Sequence, residues 1–321
     1  KLPEELENLS AADFAMVQEG EQIMDEKFQT KPIGFFKDAM IRLAHSKVSM
    51  FSVAVIAIII VLALIVPNIT GYSYTEQNIA LKNLPPKIPV LCDMGIADGS
   101  RILEKRKVES LTDTSRYPEG SIIELVNEYE LKGTPMCDVK VDAYVYAGAD
   151  PDEYHWFGTD YLGRDLMTRL FQGTRISLLI AFFSVITNCI IGVIYGAIAG
   201  YYGGKTDNII MRCLDVLAAV PGILLAIAII AALGVSTVNL ILSLSIGGIS
   251  GYARTVRAQV LGVANQEFVE AAKACGAKDG TIIFKHIIPN SLAPVIVRVT
   301  MGMGSAVLST SSLSYLGIGV E

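Results

Sequence analysis

The sequence predicts an α-helical polytopic membrane protein that carries a small β-rich domain outside the membrane. Three observations lead there. Hydrophobic residues make up 52% of the 321 residues and charged residues only 18%, against about 25% charged in ordinary soluble domains. Long uncharged apolar runs recur along the chain, and the acidic residues gather in its middle. The net charge of -6 leaves no basic stripe to neutralise phosphates, which argues against nucleic acid as a partner. A mean hydropathy of +0.47 likewise argues against disorder.

The first element is a cytoplasmic amino-terminal segment, residues 1–47, with an interfacial helix. Residues 48–66 follow as an uncharged run of 19 rich in Val, Ile, Leu and Ala, which measures about 28 Å as a helix and is one membrane span. The run is longer than the apolar part of a signal peptide, and no small-residue cleavage site follows Pro67. Residues 67–173 hold 17 Asp and Glu against 11 Lys and Arg and read as a solvated insert. Within the insert, Val139, Val141, Ala143 and Val145 alternate with Lys140, Asp142, Tyr144 and Tyr146, a half-buried strand pattern. Ile122 to Val126 supplies another strand, and the charge-rich stretch from Gly95 to Pro118 reads as loop.

Residues 174–199 form the second span. Its Gly192, Gly196 and Gly200 recur every four residues on one face, where a second helix can approach closely. The third and fourth spans cover residues 209–233 and 237–261, and Pro221 kinks or breaks the third. Residues 262–289 form a cytoplasmic loop. The fifth span, 290–313, lies in an apolar stretch interrupted only by Arg298, which is placed near one end of it and either snorkels or faces the bundle interior. The stop at Glu321 after five spans gives the expectation that a sixth is missing from this sequence.

Orientation follows from the positive charges beside the spans. Lys31, Lys37, Arg42 and Lys47 precede the first, and Arg254, Arg257, Lys273, Lys278 and Lys285 lie between the fourth and fifth. Both groups face the cytoplasm, which puts the insert outside.

Several patterns carry no chemistry. Ala199 to Thr206 imitates a phosphate loop, but it joins two membrane helices and lacks the preceding strand. His45, His155 and His286 are too scattered to gather a metal. Asp150, Asp152 and Glu153 lack the central Gly of a calcium loop. No nucleophile, base and orienting acid form a set, so no catalytic residues are assigned and the chain is not read as an enzyme. Cys189, Cys213 and Cys275 read as idle thiols. Cys92 and Cys137 both fall in the outside insert, where they are either free or joined in a disulfide.

The segment from Glu267 to Asn290 is the most informative. Ala272 and Gly276 make a small-residue face, Lys273, Lys278 and Lys285 solvate the opposite one, and Pro289 opens the next membrane helix. The result is a short amphipathic hairpin, and 28 residues from Gly262 to Pro289 are more than a connector needs.

On these residues the chain resembles the permease subunits of bacterial ATP-binding-cassette importers, whose cytoplasmic loop carries Glu-Ala-Ala, three residues, Gly, nine residues, Ile, one residue, Leu and Pro. Glu270, Ala271, Ala272, Gly276 and Pro289 occupy matching positions, with His286 for the Ile and Ile288 for the Leu. The run Lys285-His-Ile-Ile-Pro-Asn290 is similar to the C-type permease of the dipeptide and oligopeptide branch. Further similar blocks are His155 to Asp165, Gly200 to Gly204, Asp215 with Pro221, Ala253-Arg254 with Val256-Arg257, and Leu313 to Gly317. Residues of about 88–152 look like an insertion, and Thr310 stands where many relatives carry an acidic residue.

The resemblance implies a type I importer transmembrane domain in the plasma membrane. This chain and a second, B-type permease would enclose a path for a peptide delivered by an external binding protein. Two ATPase subunits would bind ATP and Mg beneath them, contacting the helix around Glu270 to Gly276. The permease itself would hydrolyse nothing and would have membrane lipid as its remaining neighbour. Nickel or glutathione import fits the same architecture. A membrane-anchored receptor would explain the insert but not the hairpin, and a membrane enzyme lacks a catalytic set.

The orientation has a direct check. Amine-reactive labels are expected to reach Lys107 and Lys140 in intact cells and Lys278 only after permeabilisation, and outside labelling of Lys278 would reverse the topology.

Overall fold

The structure, a computed structural model, describes residues 40–319 apart from 42, 93, 132 and 151. Most of the expected amino-terminal segment 1–47, with Lys31, Lys37 and Arg42, therefore lies outside the described residues. The chain divides into two units, Lys1–Ile59 and Ile60–Glu321. Helix α1, Lys47–Ile69, runs across the boundary between them.

The insert is organised around a three-stranded antiparallel sheet of β1 (Ser100–Lys107), β2 (Ile122–Leu131) and β3 (Thr134–Asp142), in the order β1-β3-β2. The central strand β3 buries Cys137, Val139 and Val141 completely, and these pack with Leu103 and Tyr117. Two expectations are corrected here. The segment from Gly95 to Pro118 is not all loop, because it contains β1. Only Leu103 of that strand is buried, and its charged, largely exposed side chains and a register shift between Leu103 and Arg106 are features of an edge strand. The alternating pattern also stops short of Val145. The Asp142 side chain accepts hydrogen bonds from the N–H groups of Tyr144 and Val145 and caps a short helix, α3 (Ala143–Ala147), because a capping carboxylate satisfies orphan helix donors. The preceding short helix α2 spans Pro89–Cys92.

Cys92 and Cys137 are both free thiols, so the bridge between them is not formed. The Cys137 thiol lies buried in β3 and donates to the Arg106 carbonyl, while that of Cys92 donates to Ala97. Burial pushes the Cys137 thiol pKa upward, which keeps it protonated and inert.

The helical part begins with α4 (Leu166–Tyr202), 37 residues long. It starts well before residue 174, inside the stretch assigned from sequence to the insert. Asp165 sets that start by accepting the Thr168 backbone N–H at 2.7 Å. Gly203 and Gly204, at φ of 60° and 52°, turn the chain directly into α5 (Gly204–Ala219). The third span, expected over 209–233 with a kink or break at Pro221, is broken there into two helices, α5 and α6 (Gly222–Leu233), bent by 82°. Pro221 has no N–H for the ladder and forces Val220 into an extended conformation.

Ser236 caps α7 (Thr237–Val263) by accepting the Asn239 N–H. A hairpin then contains α8 (Glu267–Ala274), a single turn at Asp279–Thr281 and a π-helical turn at Ile282–Ile287, which runs directly into α9 (Ile288–Tyr315). Among the described residues, three helices are long and apolar enough to cross a membrane, or four if the bent pair counts as one span.

The tightest helix contact joins α4 to α7. A side chain at Gly192 would strike Tyr252 and the Ala253 backbone, one at Gly196 would strike the Ala253 carbonyl, and one at Gly200 would strike Val260. Gly196→Ala is therefore expected to lower the stability of the detergent-solubilised protein by about 1–3 kcal/mol. Gly262→Ala, placed in open space near the end of α7, is expected to leave it unchanged or raise it. Equal thermal midpoints for the two variants would contradict the packing role.

Candidate functional site

Three clusters of polar or exposed residues stand out on this frame. The first is the hairpin. In α8, Val269 is fully buried and packs with Ala197, Val256, Val260, Ile282 and Ile287, with Ala272 and Ala277 beside them. Glu267, Glu270, Ala271 and Lys273 point outward, and the two acidic residues in the first turn suit the positive end of the helix dipole. Gly276, at φ of 77°, closes the helix in the left-handed region, where a Cβ carries a penalty. Its N–H donates to Lys273, and the Ala277 N–H donates to Ala272. A side chain at Gly276 would meet nothing within 4 Å. His286 is half-buried in the π-helical turn, and exposed Pro289 occupies the first turn of α9. Asp279 accepts the Tyr201 hydroxyl at 2.9 Å and so ties the hairpin to the end of α4. The structure also exposes Phe284 to 62%, an outward aromatic that sequence reasoning passed over because it lies among the buried isoleucines.

The second cluster is a cavity of about 700 Å³ between α4, α6, α7 and α9. Asn188 and Ser184 of α4 face it together with Tyr252 of α7 and Arg298 of α9. The Tyr252 hydroxyl donates to the Arg298 carbonyl at 3.3 Å, and the Arg298 guanidinium sits 5.2 Å from the Tyr252 ring centre. Arg298 is the eleventh residue of a 28-residue helix and lies well inside it, which corrects its expected place near the end. Thr310, buried further along α9, donates to Ala306.

The third cluster joins the insert to the helices. His155 is buried between the carboxylates of Asp165, 2.9 Å away, and Glu153, 3.2 Å away, with the Tyr72 ring centre 4.5 Å from its own. Burial raises the Asp165 pKa, but hydrogen bonds from His155 and Thr168 outweigh burial and hold it below the usual carboxylate range. Side chains at Gly158 and Gly163 would strike the Leu84 and Asn78 carbonyls. The segment from His155 to Asp165 is thus a folded corner that clasps residues 78–84 and caps α4. Spacing alone showed only a scattered histidine here. The described residues hold no group of His, Cys, Asp and Glu able to bind a metal ion.

Arg254 and Arg257 of α7, read from sequence as topology signals, each pair with a carboxylate of α5. Arg254 meets Asp215 at 2.8 Å, and Arg257 grips Asp207 through two nitrogens.

A bent pair of helices, a glycine-packed partner and an exposed hairpin running into the last helix make up a helical bundle with helices long and apolar enough to cross a membrane. A family model described as the binding-protein-dependent transport system inner membrane component matches residues 192–321, and one described as the N-terminal TM domain of oligopeptide transport permease C matches residues 34–86. The oligopeptide transport system permease protein OppC of Bacillus subtilis is 31% identical over 295 residues, covering 92% of this chain and 75% of that protein. The dipeptide transport system permease protein DppC of Alkalihalophilus pseudofirmus is 48% identical over 171 residues, 53% of this chain and 56% of that one. The glutathione transport system permease protein GsiD of Pectobacterium atrosepticum is 44% identical over 171 residues, 53% of this chain and 57% of that one. The chain thus spans little more than half the length of two of these relatives. It belongs to the C-type permeases of the dipeptide and oligopeptide ATP-binding-cassette importers, with the type I importer transmembrane fold and an inner-membrane location.

The corner has a pH signature. Ionised Asp165 stabilises the fold above the ordinary carboxylate pKa, and that stabilisation is lost as the pH falls through its depressed folded value. Asp165→Asn keeps a side-chain oxygen for the cap but removes the charge that strengthens the His155 and Thr168 bonds, and is expected to lower stability by about 2 kcal/mol at pH 7, with the gap closing below about pH 4. A gap that persists at low pH in denaturation curves would assign the loss to something other than the charge.

Proposed function

We propose that this chain is a permease subunit of an ATP-driven importer of dipeptides or oligopeptides. With a second, B-type permease it lines the translocation path. Its hairpin docks on one of two ATPase subunits that bind ATP and Mg, and an extracytoplasmic binding protein delivers the peptide. The permease hydrolyses no ATP itself. In this reading the hairpin faces the cytoplasm, and the insert, with its sheet and acidic surface, meets the binding protein.

The observation that carries the reading is the hairpin from Glu267 to Ile287. It is anchored from beneath by Val269, Ile282 and Ile287 while its acidic first turn, Gly276 and Phe284 stay exposed. An apolar anchor under an exposed rim suits a surface that receives a partner and passes force into α9. Glu270, Ala271, Ala272, Gly276, His286 and Pro289 are the residues assigned to this coupling. The likeness to a glutathione permease favours glutathione as a second cargo, and uptake of labelled glutathione against labelled dipeptide separates the two.

Gly276→Asp places bulk and charge on the docking face without entering a helix core, since the position is open. Asp tolerates the left-handed region better than most residues, so the variant is expected to insert and express normally. Peptide uptake and peptide-stimulated ATP hydrolysis by the assembled importer are expected to fall together by about tenfold or more. Glu270→Lys is expected to reduce both less, and Gly276→Asn, which accepts the same backbone without the charge, to retain most of both. Normal uptake by Gly276→Asp would reduce the hairpin to a connector and sink the coupling assignment.

A further inference from the structure

We propose that Arg298, with Tyr252 and Gly251 holding it, is a carboxylate-recognition point in the cavity that favours the passage of peptides with a free carboxyl terminus. The inference rests on the permease reading and adds a substrate preference to it. Arg298 is the sole charged residue of α9 and lies inside the helical stretch Asp279–Tyr315, which is long and apolar enough to cross a membrane. A charge inside such a helix is costly and characteristically faces a bundle interior or a polar pathway. Here it lines the cavity. Among the described residues no carboxylate pairs with it, and its guanidinium rests on the face of Tyr252.

The cradle is specific. A Cβ on Gly251 would overlap the end of the guanidinium, so the absence of a side chain at that position is what lets Arg298 lie along α7. Tyr252 holds the other side, with its ring under the guanidinium and its hydroxyl on the Arg298 carbonyl. A guanidinium offers planar, paired donors that match a carboxylate. The rest of the lining includes Ser305, Ser309 and Asn188, neutral polar groups that suit the peptide units of a cargo without competing for its charge. A transported peptide carries one carboxylate at its end whatever its side chains, so a single fixed cation reads a feature common to the whole class.

The test uses the complete importer in proteoliposomes with its binding protein and ATP. Uptake of a neutral dipeptide is compared with that of its carboxyl-terminal amide. Arg298→Gln is expected to lower the acid-to-amide uptake ratio by about tenfold from the wild-type value, whatever part of that value the binding protein sets. Arg298→Lys is expected to keep much of it. Gly251→Ala, which displaces only the flexible end of Arg298, is expected to lower the ratio in the same direction, and it decides the matter if Arg298→Gln fails to assemble. A ratio unchanged in an assembled Arg298→Gln importer, or in Gly251→Ala where Arg298→Gln does not assemble, would overturn the proposal while leaving the permease reading intact. Failure of the wild-type complex to take up either peptide would instead overturn the permease reading, and the proposal with it.

Discussion

The contact between α4 and α7 is the constraint on which the other features rest. Lipid supplies no hydrophobic drive for one apolar helix to seek another, so association depends on close packing and on polar contacts between helices. Gly192, Gly196 and Gly200 let the α7 backbone approach to where any side chain would collide. This contact positions Tyr252 and Asn188 beside the cavity. At its other end it presents Ala197, Val256 and Val260 as the floor on which Val269, Ile282 and Ile287 of the hairpin are buried.

From that seam the charged residues are distributed by their environment. Arg254 and Arg257, one turn apart on α7, reach the carboxylates of α5 and hold the first arm of the bend at Pro221. The second arm, α6, then contributes Gly222, Ile223 and Ala226 to the cavity wall. Arg298 has no such carboxylate among the described residues and lies against an aromatic ring instead. The π-helical turn leads from the hairpin into α9 without a loop between them. The exposed rim and the cavity cation therefore stand on one connected helical path.

The insert shows how buried polar corners join a sheet to a bundle. The His155 to Asp165 segment places one carboxylate where it both accepts from the imidazole and caps α4, and burial strengthens such bonds once they are satisfied. Thr70 and Thr168 share a hydrogen bond at 2.8 Å beside it. The end of α1 and the start of α4 thus meet at the corner that carries the sheet.

The sequence by itself determined the class of the protein. Apolar runs long enough for a bilayer have no other stable home, the four-residue glycine spacing marks a helix face, and Pro221 can donate no backbone hydrogen bond. Those are local properties, and they were legible residue by residue, as was the hairpin motif with its small residues and lysines. Tertiary structure alone decided what depended on partners distant in the chain. It decided that the charged stretch 100–107 is an edge strand, because pairing with β3 supplies its backbone bonds. It decided that Asp142 ends a strand by capping a helix, that Cys92 and Cys137 stay apart, and that His155 is buried between two carboxylates. It also placed Arg298 on Tyr252 inside a cavity. A side chain's neighbours are set by how helices and strands pack, and no spacing along a single chain encodes which residue will lie across the interface.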